Sequence, residues 1–194
     1  MTTSEPAPRR ELALPDGRVA VLRPASVDDA EGLVTLIRAQ ADDRRGMVIT
    51  ADQVSDASVF RARLEEQRAR RERGELAVTW VAELDGALVA EGHIAALAPA
   101  RLRHVAGLAL GVHPGAQRLG LGRAVLHALL DAAHASGTVR VELRVRADNV
   151  RARALYRSAG FSDESVFRQF VRLDDGTFVD DVGMVRFLTT ASVL

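Results

Sequence analysis

The stretch Leu108-Ala-Leu-Gly-Val-His-Pro-Gly-Ala-Gln-Arg-Leu-Gly-Leu-Gly-Arg-Ala-Val-Leu126 joins an apolar strand, a glycine-rich loop and the start of a helix. Glycine lets a backbone approach a ligand closely, and the first N–H groups of a helix have no partner within the helix. The helix dipole adds about half a positive charge at this end, and Arg118 and Arg123 add their own charges. The sequence therefore predicts a pyrophosphate site at this loop.

Apolar periodicity on both sides of this stretch predicts seven strands and four helices. The predicted strands are 18–23, 76–83, 87–97, 104–112, 138–145, 165–173 and 177–188, and the predicted helices are 26–41, 55–73, 120–136 and 149–159. The segment 104–145 forms a βαβ unit, so its two strands are expected to be parallel neighbours. Hairpins flank this unit, which indicates an α/β fold with a mixed, mostly antiparallel sheet.

Composition indicates one globular domain over residues 11–194, preceded by a disordered tail over residues 1–10. All 26 basic residues are arginines, cysteine is absent and the net charge is zero. Without lysine the chain cannot form a pyridoxal-phosphate Schiff base or a P-loop, and without cysteine it cannot form a cysteinyl acyl-enzyme. No apolar run is long enough for a membrane span, and no net charge recruits nucleic acid. We therefore expect a cytoplasmic protein that binds neither a membrane nor nucleic acid.

Two other interpretations of the polar and glycine-rich segments are disfavoured. A dinucleotide fingerprint needs a third small residue where Val125 stands, and its acidic residue falls at the end of a strand, whereas Glu142 lies inside one. A metal site is not expected, because His127 and His134 share a helix without a third ligand.

Three motifs, in the right order and spacing, resemble the GNAT superfamily of acetyl-CoA-dependent N-acetyltransferases. Gln117-Arg-Leu-Gly-Leu-Gly122 resembles its Q/R-x-x-G-x-G/A motif, and the segments 141–149 and 153–161 resemble its strand-Asn-helix-Tyr-x-x-x-Gly-Phe signature. The resemblance covers roughly residues 76–187. It implies a GNAT-like sheet, acetyl-CoA as co-substrate and direct transfer of acetyl to an amine in a ternary complex. The segments 103–106, 148–149 and 171–180 are similar to the branch that acetylates amino acids and small amines.

The resemblance also implies which residues bind acetyl-CoA. Backbone amides of the loop would hold the pyrophosphate, the backbone of two strand residues would pair with the pantetheine arm where the parallel strands splay apart near Val112, and an asparagine would contact that arm. The residues concerned are Leu110, Val112, Gln117, Arg118, Leu119, Gly120, Leu121, Gly122, Arg123 and Asn149.

Tyr156 is the predicted catalytic residue, a general acid that protonates the departing thiolate. It follows Asn149 by seven residues, which on a helix is about 20° short of two turns, so both side chains are expected on one face. The general base is not assigned. Many relatives carry an acid where this chain has Gly107, and Glu91, His93, His104, a water chain or an already neutral amine remain as alternatives.

The expected partner is a small-molecule amine or amino-acid acceptor, bound between the second helix and the final hairpin. Asp180 and Asp181 could attract its ammonium group. Three alternatives stay open at this point. The chain could be a catalytically weakened acetyl-CoA sensor, it could be a protein N-terminal acetyltransferase, and it could form a homodimer.

Overall fold

Eight strands form one sheet in the order β1-β2-β3-β4-β5-β6-β8-β7 in the computed structural model, which describes residues 9–43 and 47–188. The strands are β1 (Arg10–Ala13), β2 (Val19–Pro24), β3 (Ala77–Leu84), β4 (Ala87–Ala96), β5 (Val105–Val112), β6 (Arg140–Arg146), β7 (Ser162–Arg172) and β8 (Phe178–Phe187). Every neighbouring pair is antiparallel except β5 and β6. The mixed, mostly antiparallel sheet with a central βαβ unit is thereby confirmed.

One more strand is present than the seven predicted. Strand β1 pairs with β2 from Arg10↔Leu22 to Ala13↔Val19, and of its four residues Leu12 packs against the main core. A single inward leucine gives too little alternation for a strand signal. Residues 1–8 of the segment predicted as a tail lie outside the described residues, and β1 begins at Arg10.

The four predicted helices are confirmed, and two lie on each face of the sheet. They are α1 (Ala30–Asp42), α2 (Ala57–Glu72), α3 (Leu121–Ala135) and α4 (Val150–Ser158). Helix α3 buries Val125, Leu126 and Leu129 in the main core, which also takes in Tyr156 of α4. Helices α1 and α2 cover the opposite face, where Leu33 and Leu64 pack on Val81 of β3. No helix among the described residues is long and apolar enough to cross a membrane.

Polar contacts fix α1 and α2 against the sheet. The Arg23 guanidinium donates to both carboxylate oxygens of Asp29, at 2.7 and 2.8 Å, just before α1 begins. On α2 the buried Gln67 side chain accepts a hydrogen bond from the Thr79 hydroxyl of β3 at 3.0 Å. Most of the other α2 side chains face solvent, as expected for a helix in which arginines and glutamates interleave.

Candidate active site

Strands β5 and β6 separate after only three residue pairs, the last of which is Gly107↔Glu142. The backbone N–H of His113 donates to the carbonyl of Val89 at 2.8 Å, so the odd-numbered residues of β5 bond to β4. The backbone groups of Leu108, Leu110 and Val112 therefore face the gap, with no strand opposite them. The separation was expected near Val112, but the pairing already ends at Gly107, five residues earlier.

The loop after β5 enters α3 through two residues with left-handed backbone, Arg118 (φ 69°) and Gly120 (φ 86°). Gly120 is the N-cap residue and offers no side chain. The first amide of α3 that bonds within the chain is that of Ala124, which donates to the Gly120 carbonyl at 3.0 Å. The three amides before it, those of Leu121, Gly122 and Arg123, have no acceptor among the described residues. This arrangement fits an anion such as a pyrophosphate.

Gly122 lets the first turn of α3 lie close to the open end of β5. A Cβ at this position would stand 3.3 Å from the Val112 side chain and 3.5 Å from that of Leu155 in α4. The loop is also tied to α4, because Arg151 donates to the side-chain oxygen of Gln117 at 2.5 Å. Leu119 packs partly buried against the main core. The open end of β5, the loop and α4 thus lie next to one another.

Asn149 and Tyr156 lie at opposite ends of α4, and Asn149 stands outside the helix, so helical spacing does not relate their side chains. Asn149 precedes the helix as its N-cap, and its Oδ1 accepts from the backbone N–H of Ala152 at 3.1 Å. Only its side-chain NH₂ remains to meet a ligand. Tyr156 is 6% exposed, and its ring meets that of Phe161 edge-on with centroids 5.9 Å apart.

The Tyr156 phenol lies within electrostatic reach of Glu91. Burial raises the pKa of Tyr156 above its ordinary value, and the negative charge of Glu91 raises it further. The phenol is therefore protonated at neutral pH. Tyr156 itself belongs to the core on the α3 side of the sheet.

Glu91 and His93 point from β4 toward α1 and α2, because their neighbours Ala90 and Ile94 belong to the core on the α3 side. Burial raises the pKa of Glu91 to about 7, with a smaller opposing effect from Arg63. Burial and Arg63 together lower the pKa of His93 to about 4. At neutral pH His93 is uncharged, and Glu91 is divided between its acid and carboxylate forms.

Neither His104 nor position 107 supplies a base on this face. His104 is exposed and precedes β5, at the end of the strand opposite to the glycine-rich loop. Gly107 faces open space, since a Cβ built there meets nothing within 4 Å. The sequence left Glu91 as one of several candidates for the general base. Its burial in the structure distinguishes it from the exposed His104. Strand alternation placed Glu91 on one face, but it could not show that α1 and α2 cover that face.

A cavity of about 860 Å³ adjoins His93 on this face of the sheet. Its walls come from α2, the splayed ends of β5 and β6, and the β7–β8 hairpin. The small residues Ala95 and Gly107 form part of its floor. The location matches the expected acceptor site between the second helix and the final hairpin.

Asp180 and Asp181, expected to attract an ammonium group, do not line this cavity. The Asp180 carboxylate accepts from the backbone N–H of Gln169 at 2.7 Å, at an irregularity of β7. Asp181 is 5% exposed, and burial raises its pKa against the lowering effect of Arg144 and Arg146. Asp180 is therefore engaged by the sheet, and Asp181 is buried in it.

Comparisons of the sequence and of the fold with known proteins indicate the same family. The model of the acetyltransferase (GNAT) family matches residues 42–161, more than half of the chain. The mycothiol acetyltransferase of Beutenbergia cavernae is 52% identical over 61 residues, which are 31% of this chain and 20% of that protein. The [ribosomal protein bS18]-alanine N-acetyltransferase of Escherichia coli K12 is 42% identical over 67 residues, 34% of this chain and 45% of that protein. The chain therefore spans less than half the length of either curated relative in these matches.

Solved structures share the whole fold. An acetyltransferase of the GNAT family from Streptococcus pneumoniae superposes with a TM-score of 0.81 at 24% identity, over 87% of this chain and 99% of that one. A putative acetyltransferase from Salmonella typhimurium, solved with its cofactor acetyl-CoA, gives 0.77 at 21% identity over 90% and 97%. With the family model, the splayed strands and the unpaired amides at α3 in agreement, the chain belongs to the acetyltransferase (GNAT) family.

Proposed function

We propose that the protein transfers an acetyl group from acetyl-CoA directly to a primary amine bound in the 860 Å³ cavity. The observation that carries this proposal is the gap between β5 and β6. Among the described residues it leaves the backbone of Leu110 and Val112 without a partner strand, on either side of Gly111, which pairs with Glu91. A thioester along this edge would lie next to the cavity, because Leu108 of the same strand is part of the cavity wall.

The chain offers acetyl-CoA a complete set of contacts. The unpaired amides between Arg118 and Arg123 suit the pyrophosphate, and the open β5 edge suits the amide groups of the pantetheine arm, which would add to it as a strand does. The free NH₂ of Asn149 can donate to the same arm. Bound acetyl-CoA supplies the activated acyl group and a thiolate leaving group.

Glu91 has the properties of a general base for this reaction. With a pKa of about 7 it is partly ionised at neutral pH, close to the optimum for proton transfer. It would remove a proton from the amine as the new nitrogen–carbon bond forms and the carbon–sulfur bond breaks. His93, with its pKa lowered to about 4, is too weak a base to compete and stays neutral.

Tyr156 would serve the departing sulfur. Its raised pKa keeps the phenol protonated, so it can donate a hydrogen bond to the developing thiolate. The same shift makes complete proton release costly. The phenol therefore contributes mainly by stabilising negative charge, and it recovers any proton from solvent.

The names of the two curated relatives leave the size of the acceptor open, since one is named for mycothiol and the other for an alanine of a ribosomal protein. A weakened acetyl-CoA sensor is the competing function. Glu91 favours an enzyme, because its raised pKa suits a general base, which a sensor does not need.

Steady-state kinetics over a panel of amines tests the proposal. Direct transfer predicts amine-dependent release of CoA and intersecting double-reciprocal lines, as expected when both substrates bind before chemistry. Parallel lines would contradict direct transfer. Tight acetyl-CoA binding without turnover of any amine would support the sensor instead.

A further inference from the structure

The proposed acceptor cavity contains two guanidinium groups that no acid neutralises. Its other arginines and glutamates are paired: Glu66 with Arg73 at 3.3 Å, Arg70 with Glu75 at 3.0 Å, and Arg140 with both Glu142 and Glu164. Arg63 and Arg144 also line the cavity, and neither makes a hydrogen bond or an ion pair with a described residue. The uncompensated charge of the cavity is therefore positive.

Two aromatic rings hold the Arg144 side chain in place and leave its hydrogen-bond donors unused. Its guanidinium carbon lies 5.1 Å from the ring centre of Phe167 and 4.9 Å from that of Phe170. Cation–π contacts of this kind engage the flat face of the guanidinium and leave the N–H edge free. Asp181 is the acid whose pKa Arg144 lowers, but the two side chains are not within ion-pair distance. The N–H edge of Arg144 is thus oriented and available.

Arg63 lies on α2, across the cavity from Arg144 on β6. Its charge acts on both Glu91 and His93, so it lies near the proposed base. Both arginines are exposed to solvent, and a ligand can reach them. Two free guanidinium groups thus line one cavity, and the proposed base lies near one of them.

We propose that the amine acceptor also carries an anionic oxygen group, a carboxylate or a phosphate, which Arg144 and Arg63 bind while the amine faces Glu91. The proposal rests on the proposed function and specifies its substrate class. The N–H edge of a guanidinium matches two oxygens of either anion, and such charge-assisted pairs are among the strongest hydrogen bonds in proteins. A neutral amine would leave both guanidinium groups without a partner.

Matched pairs of amines with and without the anion provide the test. Leucine is compared with 3-methylbutylamine, phenylalanine with 2-phenylethylamine, and phosphoethanolamine with ethanolamine. We expect kcat/KM to be about 10- to 100-fold higher for the anionic member of at least one pair, the range given by one or two hydrogen bonds to a charged group. The amino-acid pairs report a carboxylate ligand, and the phosphoethanolamine pair reports a phosphate.

Substitution connects this preference to the two arginines. Arg144→Gln and Arg63→Gln should each lower kcat/KM for the preferred anionic amine about 10-fold or more relative to its neutral counterpart, while leaving KM for acetyl-CoA unchanged. The ratio within a pair cancels any effect that loss of the Arg63 charge has on Glu91. Arg68→Gln is the control, since Arg68 is exposed on the same helix and pairs with Glu72 away from the cavity. It should change none of these constants.

Two outcomes separate failure of this inference from failure of the proposed function. Equal turnover of anionic and neutral amines would overturn the anion site and leave acetyl transfer intact, as would equal losses on both members of a pair in the arginine variants. Absence of turnover with every amine, despite acetyl-CoA binding, would contradict the proposed function itself.

Discussion

The side-chain amide of Gln40 in α1 lies flat against Gly111 of β5, in the space that a side chain at position 111 would occupy. Gln40 is 6% exposed, and neither its oxygen nor its nitrogen has a hydrogen-bond partner within residues 9–43 and 47–188. Gly111 pairs with Glu91 across β4 and β5, so this unpaired amide borders the proposed active site.

The unpaired amide of Gln40 should cost the fold stability. Gln40→Met keeps the length of the side chain and removes both polar atoms, so we expect it to stabilise the protein by about 1 kcal/mol, or about 2–4 °C in Tm. Gln67→Met is the matched control, because Gln67 is equally buried but accepts a hydrogen bond from Thr79 at 3.0 Å. It should lower Tm. A lower Tm for Gln40→Met as well would mean that the Gln40 amide stabilises the fold.

A substitution of Gly120 tests the proposed pyrophosphate site at the N-terminus of α3. Gly120→Asp places a side chain and a negative charge beside the unpaired amides, and we expect acetyl-CoA affinity to fall about 10-fold or more by calorimetry. Gly137→Asp is the control at the other end of the same helix, because it too has a positive φ (76°) and open space around it. The backbone strain is then matched. Unchanged affinity in Gly120→Asp would move the pyrophosphate elsewhere.

The pKa of Glu91 predicts the pH dependence of the reaction. Since the base must be ionised, kcat/KM should rise with pH and level off above about 7. In Glu91→Gln this rise should disappear together with most of the activity. Retention of the same rise in the variant would assign it to another group, such as the amine itself.

The same shift predicts an opposite trend for stability. The folded protein raises the pKa of Glu91 from 4.5 to about 7, so between these values it binds more protons than the unfolded chain. This residue therefore makes the free energy of unfolding fall as pH rises from 4.5 to 7. Glu91→Gln should become more stable relative to the parent over that range, which urea unfolding at pH 5 and pH 8 can measure. A constant difference between the two proteins would show that Glu91 keeps an ordinary pKa.

Local signals in the sequence predicted the fold more fully than the site. Alternating apolar residues and a glycine-rich loop were enough for seven strands, four helices and the parallel pair, because each signal depends on neighbours in the chain. The burial of Glu91 depends on residues far apart in sequence, because α1 and α2 cover the face to which it points. Asn149 shows a related limit, since helical spacing does not apply to a residue that caps the helix from outside.

Tyr156→Phe separates a chemical role of the phenol from a packing role. The substitution keeps the ring and its edge-on contact with Phe161, so Tm and acetyl-CoA affinity should change little. Positioned proton donation typically contributes about 10²- to 10⁴-fold to a rate. Because the raised pKa of Tyr156 makes full proton release costly and a thiolate leaves readily, we expect kcat to fall by about 10²-fold, the low end of that range.

The measurement must be made where chemistry limits turnover, which single-turnover kinetics with acetyl-CoA bound can establish. An amine that is a poorer nucleophile should enlarge the effect, because departure of the sulfur then contributes more to the activation barrier. If the Phe variant stays within about twofold of the parent, Tyr156 is a packing residue and solvent protonates the thiolate. In that case the Glu91 variant should still lose activity, because removal of the amine proton does not depend on the phenol.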